Sequence, residues 1–191
     1  PAPGGGSVAA LVGSLGAALS SMVAALTHEK KEMMDSKQLM DDIGEEAQQL
    51  KYDLAILVEE DTIAFKKIIK AQKLPGNTEQ EKRIKEDALK EATVNAIKIP
   101  LETAKKCFRV LELSELLIKN GNPNSVSDAG VAAEVSLAGI RGGCMNALIN
   151  LSGVNDTSFT LRIKNEVDDL ISRGKSLHKN IFEKTLSFID N

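Results

Sequence analysis

Aromatic side chains are scarce. Tryptophan is absent, tyrosine occurs once, and aromatics make up 3% of the 191 residues. Single-stranded nucleic acid is bound on stacking platforms of such rings, so that class of partner is not expected. An excess of positive charge is missing as well: Lys plus Arg is 24 against 27 Asp plus Glu, a net charge of −3. Without a basic footprint, neither a nucleic acid nor an anionic membrane is an expected partner. Metal-ligand spacing is lacking too. The two cysteines, Cys107 and Cys144, form no CxxC pair, and His28 and His178 stand far apart. No metal is therefore expected. A chain of this size buries roughly 70% of its unfolded surface and needs no disulfide. Two lone thiols then fit a reducing, cytoplasmic compartment. Strand-like alternation is nowhere sustained. The first residue is Pro1, not Met, which reads as a cut or processed start.

What is present is helical spacing and one uncharged stretch. Val8 to Leu26 is 19 residues with six Ala, three Ser and two Gly. It is marginal for a membrane span, too rich in small residues to face lipid, and has no basic region before it. A buried helix from about Ser7 to Thr27 is the expectation. Val8, Leu11, Val12, Leu15, Leu19, Met22, Val23 and Leu26 form its apolar stripe. Gly13, Ala17, Ser21 and Ala25 form a smooth stripe on which another backbone can close. A second helix is predicted over about 39–71, with Ile43, Ala47, Leu50, Leu54, Leu57, Ala64 and Ile68 as its seam. Leu74-Pro75-Gly76-Asn77 ends it, and Thr78 with Glu81 reads as a capping box for a third helix over about 79–119. Pro100 must kink or break that helix. After the loop at 120–124, helices over about 126–151 and 157–188 complete the chain. The fold class is all-α: an antiparallel bundle of about five long helices in one domain, 1–191.

Three places could carry chemistry. Pro1-Ala2-Pro3-Gly4-Gly5-Gly6-Ser7 leads into the first helix. Its glycines let N–H groups converge at a positive helix end that favours anions. No Lys follows, so it is not a nucleotide-phosphate loop. The bland alternative is a linker ending in a Ser7 N-cap. Asp61 interrupts the seam Leu54, Leu57, Ala64, Ile68. Burial disfavours the charged form of such a carboxylate and suits it to proton transfer, unless a structural donor or a cation holds it. Third, Ser125 and Asp128 fit a capping box, with Ser127 as an alternative cap. Asp128, Ala132, Ser136, Gly139, Gly143, Asn146 and Asn150 share one small or polar face of the fourth helix. Asp128 and Asn146 are 18 residues apart, about 27 Å along a straight helix. One small ligand reaches both only if a partner subunit supplies an antiparallel copy. Cys144 reads as a buried thiol. His28 closes a helix. Arg141 could clamp a carboxylate or form a surface ion pair.

These residues resemble the cyclodeaminase/cyclohydrolase family, which includes the C-terminal domain of formiminotransferase cyclodeaminase and stand-alone methenyltetrahydrofolate cyclohydrolases. The resemblance rests on Pro1-Ala2-Pro3-Gly4-Gly5-Gly6-Ser7-Val8-Ala9-Ala10 with Met22-Val23-Ala24-Ala25-Leu26-Thr27. Asp61 with Ala64-Phe65, Pro100-Leu101, Ser127 to Ala133, and Asn146 with Asn150-Leu151 follow in the same order. Arg141-Gly142-Gly143-Cys144 is a looser match. The resemblance implies a tetrahydrofolate derivative as substrate, with Asp61 and Asp128 as candidate catalytic carboxylates. Gly4, Gly5, Gly6, Ser7, Asn124, Ser127, Asn146 and Asn150 are the candidate substrate-binding residues, and the small-residue stripes of the first and fourth helices lead us to expect a homodimer. It leaves cyclohydrolase and cyclodeaminase both open. A silent folate-binding protein and a structural helical dimer are the competing readings.

Overall fold

The computed structural model describes residues 4–190. The Pro1-Ala2-Pro3 portion of the opening motif lies outside them. The architecture is all helical among the described residues: α1 Gly5–His28, α2 Lys37–Gln72, α3 Glu79–Asn120, α4 Val126–Asn150 and α5 Thr157–Ile189. Short 3-10 turns at Lys31–Ser36, Pro123–Ser125 and Leu151–Gly153 join them.

Pairings along the helices give the topology. His28 meets Asp41 while Ser7 meets Asp61, so α1 and α2 are antiparallel. Arg109 bonds Glu46 and Lys106 bonds Asp53, which sets α3 against α2. Gly139 abuts Cys107 and Gly143 abuts Pro100, so α4 runs against α3. His178 reaches Glu134 and Gly130 abuts Thr185, so α5 runs against α4. Helices α1, α3 and α5 thus point one way, α2 and α4 the other.

The long helices follow their seams. Ile43, Ala47, Leu50, Leu54, Leu57 and Ala64 of α2 are buried, as are Ile163, Val167, Leu170, Gly174 and Ile181 of α5. Burying each Leu or Ile contributes about 1.5–3 kcal/mol. The capping box before α3 forms as expected: Thr78 Oγ1 accepts from Glu81 N at 3.2 Å, and Thr78 N donates to Glu81 Oε2 at 3.0 Å. The box expected at Ser125 and Asp128 does not form. Ser125 precedes α4 with no capping side-chain bond, and Ser127 lies inside the helix. Asn122 caps instead, accepting from Asn124 N at 3.0 Å at the start of the 3-10 turn. An extra turn driven by Pro123 moves the cap three residues upstream.

Helix α1 differs most from expectation. Its small face is the buried one: Gly6, Ala9, Ala10, Gly13, Gly16, Ala17 and Ser20 all pack inward. A Cβ on Gly16 would lie 2.9 Å from Ser136 Oγ, and one on Gly142 would lie 2.9 Å from Ala9 Cβ. The smooth stripes of α1 and α4 therefore close on each other within one chain and do not need a second subunit. Of the expected apolar stripe, Val23 is buried and Val12 and Leu19 are half-buried, but the other large side chains face outward, with Val8 at 47%, Leu11 at 49% and Leu15 at 54% exposure. Met22 and Leu26 continue that outward row. The helix is long and apolar enough to cross a membrane by length and composition, yet 56% of its most apolar window is buried against the other helices.

Helices α2 and α3 are also clipped together by charge. Arg109 Nε donates to Glu46 Oε1 at 2.6 Å and Nη2 to Oε2 at 2.9 Å. This fork holds the Glu46 carboxyl below its ordinary 4.5. A lowered carboxylate pKa contributes stability that is complete above 4.5 and disappears as pH falls through the lowered value. Glu46→Gln should therefore lower the melting temperature at pH 7, and the gap to the unaltered chain should close on acidification. Both side chains stay about 40% exposed, at 43% and 40%, so the gap is small. Melting curves between neutral and acidic pH check this; a gap that widens in acid would contradict it.

Candidate active site

One cavity of about 430 Å³ opens where the start of α1, the second half of α2, the middle of α3 and the end of α4 meet. Gly4, Gly5, Asp61, Asn146 and Asn150 line it, with Thr62, Phe65, Lys66, Ala96 and Ile149. The antiparallel order explains the meeting. It brings the positive first turn of α1 and the last turn of α4 to the same end of the bundle, beside residue 61 of α2.

Asp61 is half-buried at that junction. Ser7 Oγ, 1% exposed as a residue, donates to Asp61 Oδ2 at 2.8 Å. The other oxygen presses on Gly6, where a Cβ would overlap Asp61 Oδ1. No ion pair to Asp61 forms among the described residues. Its charge is met by a hydroxyl and by the free N–H end of α1, which has no acidic residue in its own first turn. The seam carboxylate thus has a structural donor and a place in a cavity at once.

The glycines act differently from the loop that the sequence suggested. Gly5 and Gly6 are the first residues of α1 itself, and Gly4 is its N-cap with φ −92° and ψ −179°, an extended conformation open to any residue. No left-handed backbone is involved. Glycine is required for approach: at Gly6 by the Asp61 carboxylate, and at Gly5 by Asn146, whose Nδ2 would lie 3.1 Å from a Cβ. Ser7 is accordingly no N-cap, but a buried partner of Asp61.

On α4, Asn146 Nδ2 donates to Gly142 O at 2.8 Å. Asn150 Nδ2 donates to Asn146 O at 2.9 Å and across to Ala96 O at 3.0 Å. The polar face of α4 therefore packs on α1 and α3 in its middle and lines a cavity at its asparagine end. Asn124, Ser127 and Asp128 lie at the opposite end of the same helix and do not line this cavity. Asp128 is half-buried in the first turn of α4, where a negative charge is favoured; Asn124 and Ser127 are exposed. Phe65, Lys66 and Thr62 are site residues that pattern reasoning did not single out. Phe65 sits one turn beyond Asp61 and keeps 57% exposure, a ring beside a cavity in a chain poor in rings.

Other candidates fall outside the cavity. Cys107 and Cys144 are buried free thiols. Burial pushes them up to about 12 and about 11, so neither is a ready nucleophile. His28 ends α1 and pairs with Asp41 at 2.7 Å. Arg141 is exposed and forms no ion pair among the described residues. No cluster of three or more His, Cys, Asp or Glu that could hold a metal occurs among them.

A family model described as formiminotransferase-cyclodeaminase matches residues 1–169. A methenyltetrahydrofolate cyclohydrolase from Methylorubrum extorquens is 34% identical over 190 residues, covering 100% of this chain and 91% of that protein. The formimidoyltransferase-cyclodeaminase of Rattus norvegicus is 34% identical over 175 residues; these are 92% of this chain and 32% of that longer protein. The crystal structure of a formiminotetrahydrofolate cyclodeaminase from Thermotoga maritima superposes with a TM-score of 0.88 at 28% identity, covering 99% of this chain and 90% of that one.

The Gly6–Asp61 contact yields a test. Gly6→Ala places a methyl group where Asp61 Oδ1 lies. The carboxylate is the far end of a side chain and can swing away, while Ala favours the helix over Gly by about 1 kcal/mol. Stability should hold or rise slightly and ligand turnover should drop about tenfold or more. Melting and turnover measured on the same protein check this; unaltered turnover would mean that the placement of Asp61 is immaterial.

Proposed function

The chain belongs to the formiminotransferase-cyclodeaminase family, and on that premise we propose that it is an enzyme acting on one-carbon units carried by tetrahydrofolate. The leading reaction is hydrolysis of 5,10-methenyltetrahydrofolate. The full-length match to a stand-alone cyclohydrolase supports it. Cyclodeamination of 5-formiminotetrahydrofolate is the second reading, favoured by the likeness to the Thermotoga maritima enzyme. The observation that carries both is the Asp61 carboxylate, tethered by Ser7 on the wall of a cavity that asparagine amides also line.

Both reactions pass through a tetrahedral carbon between N5 and N10. In the hydrolysis, water attacks the amidinium carbon, the carbon–nitrogen π pair moves to N5, and a water proton passes to Asp61. Asp61 returns a proton to N5 as the C–N5 bond pair moves to N5, and the added hydroxyl loses its remaining proton to solvent, which leaves the formyl group on N10. In the cyclodeamination, N10 attacks the carbon of the protonated formimino group, and the C=N π pair moves to the formimino nitrogen. The N10 proton passes through Asp61 to that nitrogen, and ammonia leaves with the C–N bond pair as the N5 lone pair re-forms the amidinium. A carboxylate that takes and gives one proton, and offsets cationic charge meanwhile, serves either course. Gly4, Gly5, Asn146 and Asn150 would hold the pterin edge, and the Phe65 ring and Lys66 ammonium lie on the same wall for the remainder of the substrate. Asp128, Asn124 and Ser127 are assigned no part in this cavity.

A homodimer is part of the proposal. Val8, Leu11, Leu15, Met22 and Leu26 of α1, with Val131, Met145 and Ile149 of α4, leave two adjacent helices with outward apolar rows. Patches of this kind mark interfaces. Ile149 also lines the cavity, so the row runs into its mouth. The two free thiols support a cytoplasmic setting.

Asp61→Asn should fold and lose about a hundredfold or more in turnover. Loss of methenyl absorbance measures hydrolysis, and ammonia release from 5-formiminotetrahydrofolate measures the alternative. Binding without either signal in the unaltered chain would favour a silent folate-binding protein; no binding would favour a structural role. Leu15→Glu with Met22→Glu should turn a dimer into a monomer by light scattering at micromolar concentration. A monomeric unaltered chain, or one that partitions into lipid vesicles, would sink the dimer.

A further inference from the structure

Within α3 the N–H of each residue bonds the carbonyl four residues back. Pro100 has no N–H, so the carbonyl of Ala96 loses that donor. Even so, the helix is continuous from Glu79 to Asn120; the break admitted at Pro100 does not occur. The released carbonyl is not left to water. Ala96 is buried at 7% exposure and its oxygen accepts from Asn150 Nδ2 at 3.0 Å, across 54 residues of sequence. The second Nδ2 hydrogen goes to Asn146 O at 2.9 Å.

Both partners of this amide are carbonyl oxygens, which only accept. Turning the amide over would set Oδ1 against two oxygens, so its orientation is fixed by chemistry. Its two donors are consumed inside the protein. Oδ1 is the polar atom left to Asn150, no described residue donates to it, and Asn150 lines the cavity. The approach that makes this reach is also built in. A Cβ at position 143 would lie 2.5 Å from Pro100 O and 3.0 Å from Ala104 N, so Gly143 lets α4 close on α3 beside the proline, two turns before Asn150.

We propose that Pro100 is a positioning residue: by freeing the Ala96 carbonyl it locks the Asn150 amide so that Oδ1 alone is presented, as an acceptor, to an N–H donor edge of the bound ligand. The assignment of that edge to a pterin ring rests on the folate reading above. The lock itself does not.

Pro100→Ala restores an N–H at position 100 that competes with Asn150 for Ala96 O. In the unaltered protein, both Asn150 side-chain amide protons should exchange with solvent more slowly than those of exposed asparagines. In Pro100→Ala one of the pair should lose that protection, and the melting temperature should not fall, because alanine suits a helix interior. For 5,10-methenyltetrahydrofolate, kcat/KM should fall roughly tenfold, the scale of one hydrogen bond, with most of the change in KM. Asn150→Ala should cost at least as much alone and little more when added to Pro100→Ala. Fast exchange of both protons in the unaltered chain overturns the proposal without any variant, even if Pro100→Ala fails to fold. Unaltered Asn150 exchange in a folded Pro100→Ala, or additive losses in the double variant, overturns it too. The exchange measurement needs no substrate. A chain that turns over no folate would remove the proposed function, while the amide protons would still decide the role of Pro100.

Discussion

The structure depends on how closely helix backbones can approach α1. A helix with a leucine seam holds its neighbours about 8–10 Å away. The inward face of α1 carries Ala9, Gly13, Gly16 and Ala17, and α4 answers with Ala132, Ser136, Gly139 and Gly142. The fit leaves no room for more. Cys107 Sγ occupies the niche between Gly13 and Gly139, and a Cβ at Gly139 would lie 2.5 Å from that sulfur. Because the helices close this tightly, the first turn of α1 lands on Asp61 and Asn146 and not beside them. The cavity is therefore a consequence of the small-residue contact, placed where the tight packing ends.

Asp61 shows how an acidic group survives on a core seam. Removing a carboxylate from water costs several kcal/mol unless polar partners replace the lost hydration. Here one oxygen accepts from a buried serine hydroxyl and the other lies against Gly6 in the first turn of α1, and neither neighbour is a cation. An Arg or Lys salt bridge would fix the carboxylate as an ion and occupy its oxygens. The serine hydroxyl leaves the group free of a cation on the cavity wall. The bundle places its ionic clips elsewhere, between α2 and α3 at Glu46–Arg109 and Asp53–Lys106, where they join helices without entering the cavity.

The sequence made the helices, their seams and the Thr78–Glu81 box legible, because period and local capping depend on residues a few positions apart. It also marked Asp61, since a charge on an apolar seam is visible without tertiary information, and it marked the asparagine end of α4. It misplaced the face of α1. Periodicity separates large from small residues but does not say which side is inside, and the habit of burying leucine gives the wrong side when a glycine face offers closer contact. It read the glycines of the opening motif as a loop of converging N–H groups, whereas Gly5 and Gly6 are helical and admit the side chains of Asn146 and Asp61. Asp128 shared a face with Asn146 but not a place, since one straight helix separates its ends, and Asn124 and Ser127 lie at the Asp128 end. The partnership of Asn150 with the Ala96 carbonyl was out of reach, because the proline and its replacement donor meet only in three dimensions.

Helix α4 links these themes. It contains Gly130, Gly139, Gly142 and Gly143, with Asn146 and Asn150 in its last turns. Each glycine costs about 0.8–1 kcal/mol of helix propensity against alanine, so the four together cost about 3–4 kcal/mol. An isolated peptide of this sequence would be a poor helix. Alanine at Gly143 would regain propensity but drive its methyl group to 2.5 Å from the Pro100 carbonyl oxygen, a contact that forces α4 off α3. The helix exists because its neighbours impose it, and the same contacts hold Asn146 and Asn150 at the cavity. Order at the binding end of α4 is thus not a local property. A substitution in the middle of the helix that loosens its packing on α1 or α3 acts on the asparagines before it unfolds the bundle, since α2, α3 and α5 keep their own apolar seams. Loss of binding should precede loss of fold along this helix, which is the order expected when weak local propensity is overruled by tertiary packing.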